Sequence, residues 1–418
     1  MEKCLAYYRK KRRVYGVRNH VLIIPTTFCV NNVAYQIWSF FAEERWGDYE
    51  ENRVVLALHD AGCCHVGFDR EIAFRTFLGV ASNPNVYGVL LVSLGCGQFC
   101  KPPLKPGEDK KTNLMNFKLY DRLVKRGVPV KWVNVQEVGF SRAVEIGVKH
   151  VEAMVKEARK LERTECPLSK IVIGVGNGAS DPTSGLFANP AVGYLVDYFI
   201  EKGGTVVFTQ STEVLGAEEY LFSKVKREKT RLKLKRLLET LIVFKEGLEE
   251  YLGISDPTPG NIESGISTLA EKSLGTVLKI GHSKDIEIKD VLSYAEKIPR
   301  NGGLYFMDGP GEDLLAITGM VAGGAQAVIF TTGLGTPIGS VVAPVIKVTA
   351  NKETYTKLNE IIDVYIPVEK LFEESKSLQE IAIDVLWDYL LRVLSGEPVK
   401  AEKRGQMDFG VREYWMKM

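Results

Sequence analysis

Three apolar runs in the first hundred residues each finish beside a thiol. Residues 21–24 lead to Cys29, residues 54–58 to His59 and Cys63, and residues 89–94 to Cys96. Thiolate and imidazole are ligands for iron, zinc or an iron–sulfur cluster. If the runs are neighbouring parallel strands, the four groups converge at one edge of a sheet. Gly62, Gly95 and Gly97 would let the backbone approach a bound group closely. A free cysteine is also a small apolar residue that is often buried, so packing and metal binding both stand as readings of this set. Cys64, His65 and Cys100 are weaker candidates, and Cys4 and Cys166 are not expected to take part.

The second half carries a different chemistry. Residues 174–190 read GVGNGASDPTSGLFANP, between an apolar run and a helical stretch. Such a loop offers backbone N–H groups, the hydroxyls of Ser180, Thr183 and Ser184, and a helix N-terminus to an anion. It lacks the G-K-[ST] of a Walker loop and is not G-x-G-x-x-G. A carboxylate or polyol therefore fits better than a nucleotide. Related loops recur at 258–265 (TPGNIESG), 308–313 (DGPGED) and 331–339 (TTGLGTPIG). Several such loops together suggest a polar, backbone-lined pocket. Glu213, Glu218 and Lys347 stand near strand ends, where a proton donor or acceptor is useful.

These groups need a scaffold, and the pattern supplies one. Short β-branched runs at 21–24, 54–58, 89–94 and 130–135 alternate with amphipathic stretches at 33–44 and 141–160. Further runs at 171–175, 205–209, 304–307, 327–331 and 346–349 continue the alternation. Strands buried on both faces and separated by helices predict an α/β fold with two doubly wound domains and mainly parallel sheets. The domains expected are 1–165, with the Cys/His cluster, and 166–418, with the glycine-rich loops. In open parallel sheets, ligands bind beyond the carboxyl ends of the strands. The basic run 9–13 reads as a solvated entry segment and the basic stretch 224–245 as a solvated helix face. The Pro-, Gly- and Lys-rich residues 101–112 read as a surface excursion.

Composition narrows the class. Among 418 residues, 54 Lys and Arg balance 52 Asp and Glu, a net charge of +2 that provides no field for nucleic acid or an anionic membrane. No apolar run reaches the ~20 residues that span a bilayer, and no secretory h-region follows the N-terminus. Seven irregularly spaced cysteines do not make a disulfide framework and suit a reducing cytoplasm.

Read in order, several segments resemble the altronate/galactarate dehydratase family. They are GVRN at 16–19 with VLIIPT and Cys29, HDAGC at 59–63, RTFLGVASNP at 75–84 and SLGC at 93–96. The series continues with SDPTSGLFANP at 180–190, EVLGAE at 213–218, TPGN at 258–261, EKSLG at 271–275 and GMVAGG at 319–324. It closes with TTGLGTP, IKVTAN at 346–351 and GEPVKAEKRGQMDF, so nearly the whole chain is covered.

The resemblance implies a hydro-lyase that dehydrates a sugar acid to a 2-keto-3-deoxy acid, with iron (Fe2+ or an iron–sulfur cluster) or another divalent metal. It implies the large catalytic part without the family's small N-terminal SAF domain, hence a small SAF-domain subunit as partner, and a homo-oligomer. The same two-part design occurs in sulfolactate sulfo-lyase, which eliminates sulfite; a non-catalytic sugar-acid-binding paralogue is the third reading. On the matched positions, Cys29, His59, Cys63 and Cys96 are expected to bind metal. Arg18, with Asn19, would hold a substrate carboxylate. Ser180, Asp181, Ser184, Asn189, Asn261 and Thr332 would bind the substrate, and Lys347 and Glu213 would move protons. The chain departs from the family at Asn177, where a cysteine is usual, at 363–366, where Asn-Cys-Gly is usual, and at 280–283, where Gly-Gly-Thr-Ser is usual.

Overall fold

The computed structural model describes residues 3–42, 54–63, 67–95, 119–252 and 257–413, with side chains described as far as residue 243 in the helix that ends at 252. Two parallel sheets dominate. The smaller runs β4-β3-β5-β6, with β3 (His20–Pro25), β4 (Val54–Leu56), β5 (Val86–Ser93) and β6 (Val130–Asn134). The larger runs β10-β11-β9-β8-β12-β13-β14. Its strands are β8 (Val172–Asn177), β9 (Thr205–Phe208), β10 (Ile288–Leu292), β11 (Gly303–Met307), β12 (Ala327–Thr331), β13 (Val345–Thr349) and β14 (Val364–Tyr365). Every pairing within both sheets is parallel. This is the doubly wound α/β class that the alternating runs predict.

The reason lies in the strands themselves. All six residues of β3 are buried, as are all five of β12 and β13, so both faces of each strand meet a helical layer. Each buried Val, Leu or Ile stabilises the fold by roughly 1.5–3 kcal/mol relative to an exposed one. Helices Asn31–Ser39 and Phe140–Ala158 cover one face of the small sheet. Helix Gly67–Ala81 covers the other and also packs on helix Asp313–Gly323 of the large sheet, joining the halves through one apolar core. A Cβ at Gly79 would run into the carbonyl of Ala322, so only glycine permits this approach.

Polar groups also cross the junction. The Asn83 amide donates to the carbonyls of Val321 (2.9 Å) and Ala325 (2.8 Å), and that of Asn85 to Gln326 (2.8 Å) and Val342 (3.0 Å).

A third, antiparallel sheet departs from the expectation. β1 (Lys3–Arg9) pairs with β2 (Val14–Gly16) and with β7 (Arg163–Pro167). The basic run 9–13 is therefore only partly solvated: Lys10, Lys11 and Arg13 are exposed, but its first residue is not. Arg9 is buried and donates to Asn19 (2.6 Å), the Arg18 carbonyl (3.1 Å) and the Pro84 carbonyl (3.2 Å). Its aliphatic stem and five donors let a guanidinium serve as a buried staple, which a charge count does not reveal.

In each sheet the winding reverses once. The chain moves from β3 to β4 on one side and to β5 on the other; it moves from β8 to β9 on one side and later to β12 on the other. Such switch points open a crevice at the carboxyl ends of the strands.

Candidate functional site

The large sheet's switch point holds a buried cluster of charge. Asn177 ends β8 beside Thr331, its register partner on β12. Its side-chain amide donates to Glu213 (2.7 Å), and its amide oxygen accepts from the Lys279 ammonium. Lys272 lies 3.3 Å from the other Glu213 oxygen, and both side chains are under a tenth exposed. Gln210 completes the frame, accepting from the Asn177 backbone N–H (2.8 Å) and donating to its carbonyl (2.5 Å). Gln210 adopts a left-handed φ of 75°, a costly conformation for this residue that such contacts hold in place.

Asp313, at the start of its helix, sits against Gly178, where an added Cβ would lie 3.0 Å from its carboxylate. Burial, reinforced by the Glu213 charge, raises Asp313 to about 6. Burial lowers Lys279 to about 8, with Glu213 opposing and Lys272 adding to that shift. At neutral pH this leaves an ionised Asp313 and a protonated Lys279, one acceptor and one donor of protons.

Beside the cluster lies a cavity of about 430 Å³. Of the residues expected to bind substrate, Ser180, Asp181, Ser184 and Asn189 line it, together with Lys272, while Asn261 and Thr332 are not among its lining residues. Their hydrogen bonds are largely internal. Asp181 accepts from the Ser184 N–H (2.7 Å) and from Asn351 (2.9 Å), and Asn189 accepts from Thr331 (2.5 Å). Asn261 donates to the Ser180 carbonyl (3.1 Å), and Thr332 accepts from Gly335 N–H (2.9 Å). These residues thus shape the walls as much as they offer groups to a guest.

Three expected residues lie elsewhere. Arg18 is fully buried, with donors on both oxygens of Glu402 (2.7 and 2.8 Å) and on the carbonyls of Val393 and Glu397 (both 2.9 Å). Burial works against the Glu402 charge, yet the guanidinium holds that carboxyl below its usual range. Asn19 bridges Arg9 and the Ala158 carbonyl (2.8 Å). Both precede β3, so they stand at the amino edge, while parallel sheets gather ligand groups at the carboxyl edge. Lys347 lies within β13, where burial lowers it to about 8. Its ammonium donates to the Ile338 carbonyl (2.8 Å) and Gln406 (3.0 Å), tying the 331–339 loop to the C-terminal segment.

At the small sheet's switch point, the loops after β3 and β4 adjoin: Phe28 N–H donates to the Ala61 carbonyl (2.9 Å). Cys29 and Cys63 are exposed cysteines on these loops. Thr26 Oγ1 and Asn31 Oδ1, flanking Cys29, are buried without a hydrogen-bond partner among the described residues. Soft sulfur and orphaned oxygens beside a strand end fit a metal ion. His59 fits poorly: one ring nitrogen contacts the Pro25 carbonyl (2.7 Å) and the other accepts from Ala61 N–H (3.1 Å). Its ring packs instead on Phe77 (4.7 Å between centroids) and Phe409. Cys96 lies outside the described residues, as do Cys64, His65, Cys100 and the 101–112 stretch. Among the described residues no three His, Cys, Asp or Glu side chains form a ready metal-binding group.

Sequence reasoning missed Lys272, Lys279, Gln210 and Asp313. A signal existed for the lysines: they stand seven residues apart, two helical turns, in the apolar stretch SLGTVL between them.

Two parallel α/β units, each with its loops gathered at a switch point, are the architecture of an α/β enzyme. The D-galactarate dehydratase/Altronate hydrolase second-domain profile matches residues 6–159, and the D-galactarate/Altronate dehydratase C-terminal profile matches residues 168–416. An altronate dehydratase of Bacillus subtilis (strain 168) is 34% identical over 398 residues, 95% of this chain and 75% of that protein. The (2R)-sulfolactate sulfo-lyase subunit beta of Chromohalobacter salexigens is 31% identical over 97% of this chain and 96% of its own length. Galactarate dehydratase (L-threo-forming) of Escherichia coli (strain K12) is 31% identical over 78% of this chain and 60% of that protein. The chain belongs to the galactarate/altronate dehydratase family.

Proposed function

We infer that this chain dehydrates an aldonic or aldaric acid to a 2-keto-3-deoxy acid. The observation that carries the reading is an Asp raised to about 6 and a Lys lowered to about 8, each acted on by the Glu213 charge, beside a cavity lined by Lys272. β-Elimination from a hydroxy acid needs a base for the proton beside the carboxylate and an acid for the departing hydroxyl. Asp313 is the base and takes the C2 proton. Lys272 offsets the carboxylate charge as the enediolate develops. Lys279 is the acid that gives its proton to the leaving hydroxyl, which departs as water, and Asn177, accepting from the ammonium and donating to Glu213, holds it in place. Ser180 and Ser184 orient substrate hydroxyls. Glu213, expected from the sequence as an acid–base group, is in this reading the charge that Asn177 and Lys272 are set around, and Lys347 supports the loop.

Iron (Fe2+ or an iron–sulfur cluster) or another divalent metal belongs to this reading, held by Cys29 and Cys63 with Cys96, and His59 walling the site. Bound there, it supplies Lewis acidity toward a hydroxyl or carboxylate oxygen. The small SAF-domain subunit remains the proposed partner, within a homo-oligomer in the cytoplasm. The near-complete overlap with a relative named as a subunit supports the two-chain arrangement. The same overlap favours one second reading, elimination of sulfite from sulfolactate.

The test is a panel of aldonates, aldarates and sulfolactate, with the small partner present and metal loaded anaerobically. Formation of a 2-keto-3-deoxy acid supports the dehydratase. Release of sulfite with no dehydration replaces it with the second reading.

A further inference from the structure

A second concentration of charge lies at the amino edges of the sheets. A cavity of about 330 Å³ opens there between the two halves, a size suited to a small metabolite. Its lining includes Lys11, Arg12, Arg75 and Arg126 from one half and Lys297 and Arg300 from the other, with no acidic residue. It shares no lining residue with the 430 Å³ cavity at the carboxyl edge.

Part of this has a structural explanation. Arg12 donates to the carbonyls of Val86 (2.9 Å) and Asn83 (3.0 Å), beyond helix Gly67–Ala81. Arg300 donates to the Gly324 carbonyl (2.9 Å), at the end of helix Asp313–Gly323. Cations at helix carboxyl ends satisfy unmatched carbonyls and the helix dipole.

That role leaves the other four cations unexplained. Arg75 uses one nitrogen on the Tyr294 carbonyl (3.0 Å) and Arg126 one nitrogen on Ser82 Oγ (2.7 Å). Both residues line the same space, as do the exposed Lys11 and Lys297. None of the six pairs with a carboxylate among the described residues. Burial lowers Arg12 to about 10, and the Arg300 and Arg126 charges add to that. Like charges so gathered disfavour one another unless an anion joins them. Guanidinium forks suit the oxygens of phosphate or carboxylate groups.

We propose that this cavity is a second ligand site, which takes a compact multivalent oxyanion, phosphate-bearing or polycarboxylate, and that an anion there clamps the two halves together. Both halves supply cations, so the bound form is stiffer across the junction than the free one. The site stands independently of the dehydration chemistry.

Calorimetric titration of the full chain with inorganic pyrophosphate and with citrate tests it. Saturable binding of at least one, weakened by added NaCl and accompanied by a rise in Tm, is the expected result. Preference for pyrophosphate assigns a phosphate ligand, and preference for citrate a polycarboxylate. The Lys11→Ala/Lys297→Ala double variant removes two exposed charges that anchor no described hydrogen bond. It is expected to bind the preferred anion about tenfold more weakly, as for loss of a charge-assisted contact, with unchanged anion-free Tm and unchanged sugar-acid turnover. Absence of binding below about 10 mM for both anions, or equal affinity in wild type and double variant, overturns the proposal.

Discussion

The two switch points stand at equivalent places in two sheets of the same class, yet they hold opposite chemistry. After β8 and β12, Lys272, Lys279 and Glu213 are buried around Asn177, and the half-buried Asp313 is acted on by the same Glu213 charge. After β3 and β4, the thiols of Cys29 and Cys63 are exposed, and the imidazole beside them is hydrogen-bonded to backbone. Low dielectric strengthens charge interactions and shifts pKa values, so the first suits proton transfer. Exposed sulfur beside orphaned oxygens suits a metal that a substrate must reach. One topology thus supplies two crevices, and burial decides what each can do.

The comparison breaks most sharply at Asp313. Asp313→Asn is expected to lower kcat/KM about a thousandfold while thermal unfolding stays near wild type, since proton transfer by a placed group contributes roughly 10²–10⁴. Retained turnover would move the chemistry out of the large sheet. The thiol edge has its own test. Cys29→Ser and Cys63→Ser are each expected to cut bound iron at least tenfold by metal analysis, whereas His59→Gln leaves it within about threefold. A larger loss for His59→Gln would restore it as a ligand.

Arg18 tests whether the amino edge is purely structural. Arg18→Met leaves Glu402 buried without its partner and is expected to cost about 3–5 kcal/mol in denaturant unfolding, with Glu402→Leu recovering most of it. A change in KM with unchanged stability would instead return Arg18 to the substrate. Lys347→Gln is the mildest. Freeing the 331–339 loop is expected to lower kcat/KM by about tenfold without moving the pH profile, because positioning errors cost rate rather than protonation state.

Much of the scaffold is legible in the sequence, for identifiable reasons. Runs such as VLIIP and AVIFT are apolar at every position, and only a strand buried on both faces needs that. The grouping of Ser180, Asp181, Ser184 and Asn189 is also legible, because one loop carries them all. The antiparallel β1–β2–β7 sheet is not, because its basic residues look solvated until Arg9 is seen among carbonyls. The lysine–carboxylate cluster is not either. Lys272 and Lys279 share one helical stretch, but Asn177, Glu213 and Asp313 come from three other segments, and only the strand order brings them together. Asn177 shows the point well: where the family usually has a cysteine, this chain has an amide, and that amide links Glu213 to Lys279.

The central claim is that Asp313 and Lys279 are the working acid–base pair. The pH dependence of kcat/KM for sugar-acid dehydration tests it most directly, since it reports on the free enzyme. Activity should rise with pH as Asp313 ionises through about 6 and fall as Lys279 loses its proton through about 8, giving a bell with its plateau near neutrality. A profile with neither limb in that range would contradict the account.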